Sequence, residues 1–305
     1  MPLYLAALAA GAAAGLALPG VAAPAGASVT PILALLLYAT FLGVPFAQIG
    51  RALRDARFLV TLLVVNFVAV PPVAWAVSRL VAHDDALVVG VLFVLLTPCV
   101  DYVIVFTGLA GGARDRLLAA APVLLLVQML ALPVFLRLFV GAEFAAAVDL
   151  APFVEAFVVL IALPLAAAAV TQAAARTAWG RAMQGGVLAA MVPLMMATLA
   201  VVVASQVANV GASAAALAAV VPGYVLLAAV MVGVGALAGR AARLDVAGRR
   251  AILFSGVTRN SLVVLPLVLA LPPAYALAPL AVVTQTLVEL PVMVALVRLV
   301  PRLVA

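Results

Sequence analysis

Apolar runs of about 20 residues, the length a helix needs to cross a bilayer, recur along the whole chain between short connections bearing Arg or Gly and Pro. The pattern predicts ten spans, at 3–22, 31–49, 58–80, 86–109, 117–139, 150–171, 185–207, 214–238, 250–270 and 276–299. Two of them are interrupted at their centres by polar residues. These are Leu96-Thr97-Pro98-Cys99-Val100-Asp101-Tyr102 in the fourth span and Gly256-Val257-Thr258-Arg259-Asn260-Ser261 in the ninth. Broken helices at corresponding places in the two halves of a membrane protein let unwound backbone and helix ends face a buried ligand.

Shifting the first five spans by about 155–160 residues overlays them on the last five, and an odd number of helices per half gives the halves opposite orientations. The expected architecture is an all-α polytopic membrane protein, one integral membrane domain of ten transmembrane helices. They form two inverted five-helix repeats, 1–145 and 146–305, with broken, crossing helices four and nine. On this overlay Pro98 and Cys99 fall opposite Thr258 and Arg259, and Gln128 comes close to Glu289.

Composition agrees: the chain is 69% hydrophobic and 9% charged, which excludes a water-soluble globule, whose apolar share is nearer half. All 16 basic residues are Arg, and thirteen of them lie in connections after even-numbered spans or at the C-terminal end. The positive-inside rule then puts both termini in the cytoplasm. The basic balance reports topology and lipid headgroup contact, so no nucleic acid is expected as a partner. No basic stretch precedes the first apolar run, which reads as a retained helix rather than a cleaved signal peptide. A single cysteine excludes an intramolecular disulfide. His83, the one histidine, sits beside Asp84 and Asp85 in a loop, so no Cys/His metal centre, cofactor site or catalytic constellation is expected.

A charged side chain at mid-membrane costs about 2.5–3.5 kcal/mol on insertion scales, so such residues are functional or paired by default. Asp101, Arg259 and Glu289 lie deep, and Glu155 nearer the interface. One Arg and two acids leave one acid over. Away from water a lone carboxyl favours its neutral form, which makes the spare acid a candidate proton carrier; a static structural pair, with the other acid facing a watery vestibule, is the alternative. Cys99 follows Pro98, which removes a backbone donor where the helix breaks. Its thiol is either a soft ligand or a small packing group. Asn66, Gln128, Gln206, Asn209 and Gln285 line a cavity or bridge helices.

The Thr97-Pro98-Cys99 break followed by Leu109-Ala110-Gly111-Gly112, the Asn-bearing break in helix nine and Val288-Glu289-Leu290-Pro291 in helix ten resemble the arsenite efflux permeases. These belong to the bile-acid/arsenite/riboflavin transporter superfamily. The resemblance covers essentially the whole chain and implies that Cys99 and Glu289 are functionally required. It departs where those permeases carry an Asn pair in helix nine, the first of which is here Arg259, and where Asp101 and Tyr102 stand in place of apolar or small residues. The bile-acid sodium symporters share the broken helices. Aligned on Phe254 and Asn260, the positions of their sodium-binding Glu and Gln are here Ser255 and Arg259. A guanidinium is a permanent cation and cannot ligate sodium, so Arg259 would stand where the coupling ion does.

The resemblance implies a proton-coupled antiporter that exports arsenite and antimonite, by alternating access, across the plasma membrane, the inner membrane of a bacterium. The substrate contacts are Cys99, Pro98, Thr97, Arg259 and Asn260, the proton carrier Glu289 or Asp101, and the lining residues Tyr102, Gln128, Thr258, Ser261 and Gln285. Substrate, protons and the lipid bilayer are the expected partners, and oligomeric state stays open. The alternative substrate is an organic anion bound by Arg259.

Overall fold

The computed structural model describes residues 2–43, 55–141, 151, 154–155, 158–269 and 271–304. Arg51, Arg54 and Pro45, and the expected boundary between repeats at 145, lie outside the described residues. In chain order the helices are α1 (Pro2–Ala17), α2 (Ala22–Gly43), α3 (Ala56–Val81), α4 (Asp85–Leu95), α5 (Tyr102–Leu109) and α6 (Arg114–Phe139). They continue as α7 (Val158–Ala174), α8 (Ala178–Ala189), α9 (Met191–Ala212), α10 (Val221–Ala241), α11 (Val246–Val257), α12 (Ser261–Leu269) and α13 (Ala278–Leu303). Among the described residues there is no strand beyond an isolated antiparallel bridge between Pro98 and Arg259.

Among the described residues five helices are long and apolar enough to cross a membrane, those at Ala22–Gly43, Ala56–Val81, Arg114–Phe139, Ala214–Ala241 and Pro273–Leu303. A sixth arises if Ala178–Ala189 and Met191–Ser205, bent by 42° at their junction, count as one span. The fourth and ninth expected spans are each two short helices, α4 with α5 and α11 with α12. The expected span at 31–49 starts earlier, at Ala22, because Pro31 is accommodated inside α2.

The described chain divides into two compact units, one of 1–45 and 150–214, the other of 46–149 and 215–305. Each draws on both halves of the sequence. In the first, α1 lies close against α9 at Gly11 and Gly15, where a Cβ would come within 2.4 Å of the Ala200 carbonyl oxygen and 2.5 Å of that of Ala204. Small residues of this kind let helix backbones approach where lipid supplies no hydrophobic drive. The Tyr38 hydroxyl meets Thr171 Oγ1 at 2.8 Å, tying α2 to α7.

The second unit holds both breaks. Its α4 starts at Asp84, whose carboxylate accepts the N–H groups of Ala86 and Leu87, satisfying donors that a first helical turn leaves open. Inside α3, Val65–Ala69 form a π-turn immediately before Pro71 and Pro72. Pro71 has no N–H to give the carbonyl four residues back and its ring crowds that carbonyl, and a wider turn relieves both. Near the Arg-bearing connections, Arg116 reaches Asp245 at 2.6 Å and Asp55 at 3.3 Å. These two acids lie at the starts of α11 and α3. Gly90 in α4 seats that helix on α13: a Cβ there would be 2.6 Å from the Ala278 carbonyl oxygen and 2.8 Å from its Cα.

Gly90→Ala should therefore push α4 off α13, lowering stability by about 1–3 kcal/mol, seen as a lower thermal unfolding midpoint of the purified protein in detergent. Gly233→Ala, where nothing lies within 4 Å of the added Cβ, should leave the midpoint unchanged or raise it, since Ala favours a helix interior over Gly. Equal behaviour of the two variants would contradict the close α4–α13 contact.

Candidate functional site

Helix α4 stops at Leu95 because Thr97 precedes Pro98, a position that disfavours helical backbone. Helix α11 stops at Val257, and Thr258 is extended, with φ −81° and ψ 137°. Both ends are finished alike: the single Thr97 Oγ1 hydrogen faces the carbonyls of Phe93 and Val94, each at 3.0 Å and able to take it in alternation, and Thr258 Oγ1 donates to that of Phe254 at 2.7 Å. The unwound segments then pair. The Cys99 N–H donates to the Thr258 carbonyl at 3.3 Å and the Asn260 N–H to that of Thr97 at 2.8 Å, which satisfies backbone groups that the bilayer interior would leave without partners. Chain direction resumes at Asn260, whose Oδ1 accepts the Val263 N–H at 3.2 Å and starts α12, while Asp101 precedes α5. Ser261 Oγ lies 2.6 Å from Thr286 Oγ1, holding α12 on α13.

Arg259 is wholly buried. Its Nη2 donates to the carbonyls of Ser255 at 2.6 Å and Gly256 at 2.7 Å and to Asn66 Oδ1 at 3.0 Å. Its Nη1 donates to the carbonyl of Leu95 at 3.3 Å. Three of the four acceptors are therefore carbonyls in the last turns of α4 and α11. A helix C-terminus carries about half an elementary negative charge, so two of them converging are matched by one guanidinium. Asn66 reaches it from the π-turn of α3 and donates its Nδ2 to Ser255 Oγ at 2.9 Å and to the Leu62 carbonyl at 3.0 Å.

Glu289 meets Arg259 through the backbone instead. Its Oε2 accepts the Arg259 N–H at 2.8 Å and the Gln285 side-chain amide, one turn earlier on α13. Its Oε1 accepts the Tyr102 hydroxyl at 2.6 Å. Charge counting from sequence suggests a guanidinium–carboxylate pair; the acceptors of this guanidinium are carbonyl and amide oxygens, because the helix ends lie on its side of the break. Cys99 is buried beside this assembly.

Thr97, Pro98, Cys99, Tyr102, Thr258, Arg259, Asn260, Ser261, Gln285 and Glu289 are thus brought to one crossing, with Asp101 buried at its edge. Gln128, on α6, is fully buried, and neither atom of its amide has a hydrogen-bond partner among the described residues; the same holds for Asn260 Nδ2 and Gln285 Oε1. Buried polar atoms are nearly always satisfied in folded proteins, so such exceptions point to a ligand or water. Gln285 and Glu289 line a cavity of about 10 Å³ together with Tyr224, Leu95 and Val257, room for one water-sized guest. Glu155 is exposed, and the side chains of Gln206 and Asn209 lie outside the described residues. Tyr224 escapes a sequence reading, and Ser255, one turn before Arg259 in α11, enters it only through the alignment with the symporters.

Residues 30–213 match the family model described as Sodium Bile acid symporter family. The matched stretch includes the Pro98-Cys99 break and ends before Arg259. No curated protein matches the chain.

Arg259→Met, which keeps the length of the side chain but removes every donor, should destabilise the purified protein by about 3 kcal/mol or more, since each buried acceptor left open costs about 1–3 kcal/mol. Arg259→Lys should fall between it and the parent in a thermal unfolding assay. A Met variant as stable as the parent would contradict a role for the guanidinium in closing the two helix ends.

Proposed function

The chain belongs to the sodium bile acid symporter family and is a multi-pass membrane transporter, not an enzyme, and on that premise we propose that it is a proton-coupled secondary transporter exporting arsenite and antimonite. The observation that carries this reading is the Arg259 guanidinium, committed to oxygens of two helix ends and of Asn66. A fixed cation at that point needs no sodium ion. Its Nη donors are turned to these oxygens and away from any substrate. An uncharged trivalent metalloid hydroxide suits such a site better than an anion does.

Cys99 offers it one soft contact, and a single thiol permits release where three thiolates would trap the metalloid. Gln128 and Asn260 carry amide donors with no partner among the described residues, suited to its hydroxyl oxygens. Glu289 carries the exchanged proton. We place both termini in the cytoplasm of a bacterium from the distribution of Arg. The two halves act as inverted repeats, a reading supported by the matching construction of the breaks at Thr97 and Thr258.

A second reading is favoured by the family itself, whose name is that of bile-acid symporters: an organic anion as substrate. Its original anchor, Arg259, has its Nη donors turned to protein oxygens, so such an anion would rely on the N-termini of α5 and α12.

Expressed in an arsenite-sensitive bacterial strain lacking its own efflux systems, the protein should lower cellular arsenic several-fold relative to empty vector. Cys99→Ser at matched expression should abolish that difference. Arsenic content equal to that of empty vector would exclude arsenite and move the assignment to organic anions.

A further inference from the structure

The Tyr102 hydroxyl sits between two oxygens, 2.6 Å from Glu289 Oε1 and 3.1 Å from the Arg259 carbonyl oxygen. A phenol has one hydrogen to donate, and a peptide carbonyl has none. With Glu289 ionised, that hydrogen serves the carboxylate or the carbonyl, but not both. Protonation of Glu289 changes the count. The carboxylic O–H then donates to the Tyr102 oxygen, the Tyr102 hydrogen turns to the Arg259 carbonyl, and both contacts are filled.

The two carboxylate oxygens are not equivalent in this respect. Oε2 accepts two N–H groups, from the Arg259 backbone and from Gln285, and amide nitrogens cannot accept a proton's hydrogen bond in return. A proton on Oε2 would face two donors, whereas on Oε1 it faces an oxygen with lone pairs to spare.

We infer that Glu289 Oε1 and the Tyr102 hydroxyl together form the proton-binding site, with Tyr102 a positioning residue that relays proton occupancy to the backbone of the α11–α12 break. The relay ends at the carbonyl of Arg259, whose neighbour Asn260 donates to the Thr97 carbonyl across the crossing. Proton binding at Oε1 therefore adds or removes a hydrogen bond at the point where the two broken spans hold each other. The charged and titratable groups around the carboxyl are Tyr102 and Asp101 from α5 and its start, Cys99 and Arg259 from the two breaks, and Tyr224 from α10. The hydroxyl of Tyr224 is committed to the Ala281 carbonyl at 2.9 Å. Helix α12 carries no titratable group, and the acid of α4, Asp85, lies at the far end of that helix.

This inference rests on the proposed proton coupling and names its atom and its reader. The test is infrared difference spectroscopy of the purified full chain in lipid across pH, which needs no transported substrate. In the wild type a carboxylic C=O band should titrate and be absent in Glu289→Gln, and a tyrosine C–O band should change in step with it. In Tyr102→Phe, which keeps the ring, the tyrosine band should be lost and the titration midpoint of the carboxyl band should move by about one pH unit or more. If the carboxyl band titrates in Tyr102→Phe as in the wild type, or the wild-type tyrosine band does not follow it, the relay is wrong while proton coupling stands. If no Glu289-dependent band titrates in the wild type, the coupling reading itself fails and the relay with it. Absence of a tyrosine band that follows the carboxyl in the wild type overturns the relay even if the Phe variant does not fold.

Discussion

One guanidinium holds the crossing together. Arg259 reaches carbonyls at the ends of two separate helices and the amide oxygen of a third, and without it two negative helix ends would converge in the low-dielectric interior with nothing between them. The cost of burying a cation at this depth is several kcal/mol. The charge is offset because the helix ends it faces would otherwise be as costly to bury. That mutual requirement explains how a fully buried Arg can sit in a chain with so few charges.

Other features follow from it. The backbone of the breaks is satisfied by reciprocal hydrogen bonds at Cys99 and Asn260, and Thr97 and Thr258 close the two helix ends in the same way. With the guanidinium turned to the helix ends, the Arg259 backbone is left to engage Glu289 and Tyr102. The carboxyl is held by that backbone N–H and by the side chains of Tyr102 and Gln285 instead of by the guanidinium donors. A cation covalently attached to the chain cannot be exchanged with solution, so on the proposed reading the energy for transport enters through another group.

The breaks were legible in the sequence because polar residues in an apolar run have few reasons to be there. Asp101, Arg259 and Glu289 stood out on cost alone, Cys99 on the proline before it and Asn260 on the resemblance. Their contacts did not. The Tyr102–Glu289 hydrogen bond joins residues 187 positions apart, and no local pattern marks such a partner. The role of Asn66 depends on a π-turn that presents it to the crossing, and the only local sign of that turn is a pair of prolines, common in membrane helices. The acceptors of Arg259 are mostly backbone carbonyls, invisible to side-chain arithmetic, which is why counting charges pointed to an ion pair. Hydropathy marked the apolar runs, of which five or six form helices long and apolar enough to cross a membrane among the described residues; the shortness of α4, α5, α11 and α12 came from the breaks themselves.

On the proposed reading Arg259 takes the place of an exchangeable cation, so that protons and not sodium drive transport. Arsenite flux into proteoliposomes of the purified protein, measured under a pH gradient without sodium and then under a sodium gradient at equal pH, tests it most directly. Flux that follows the pH gradient and ignores sodium is the predicted result; flux driven by the sodium gradient alone would contradict it.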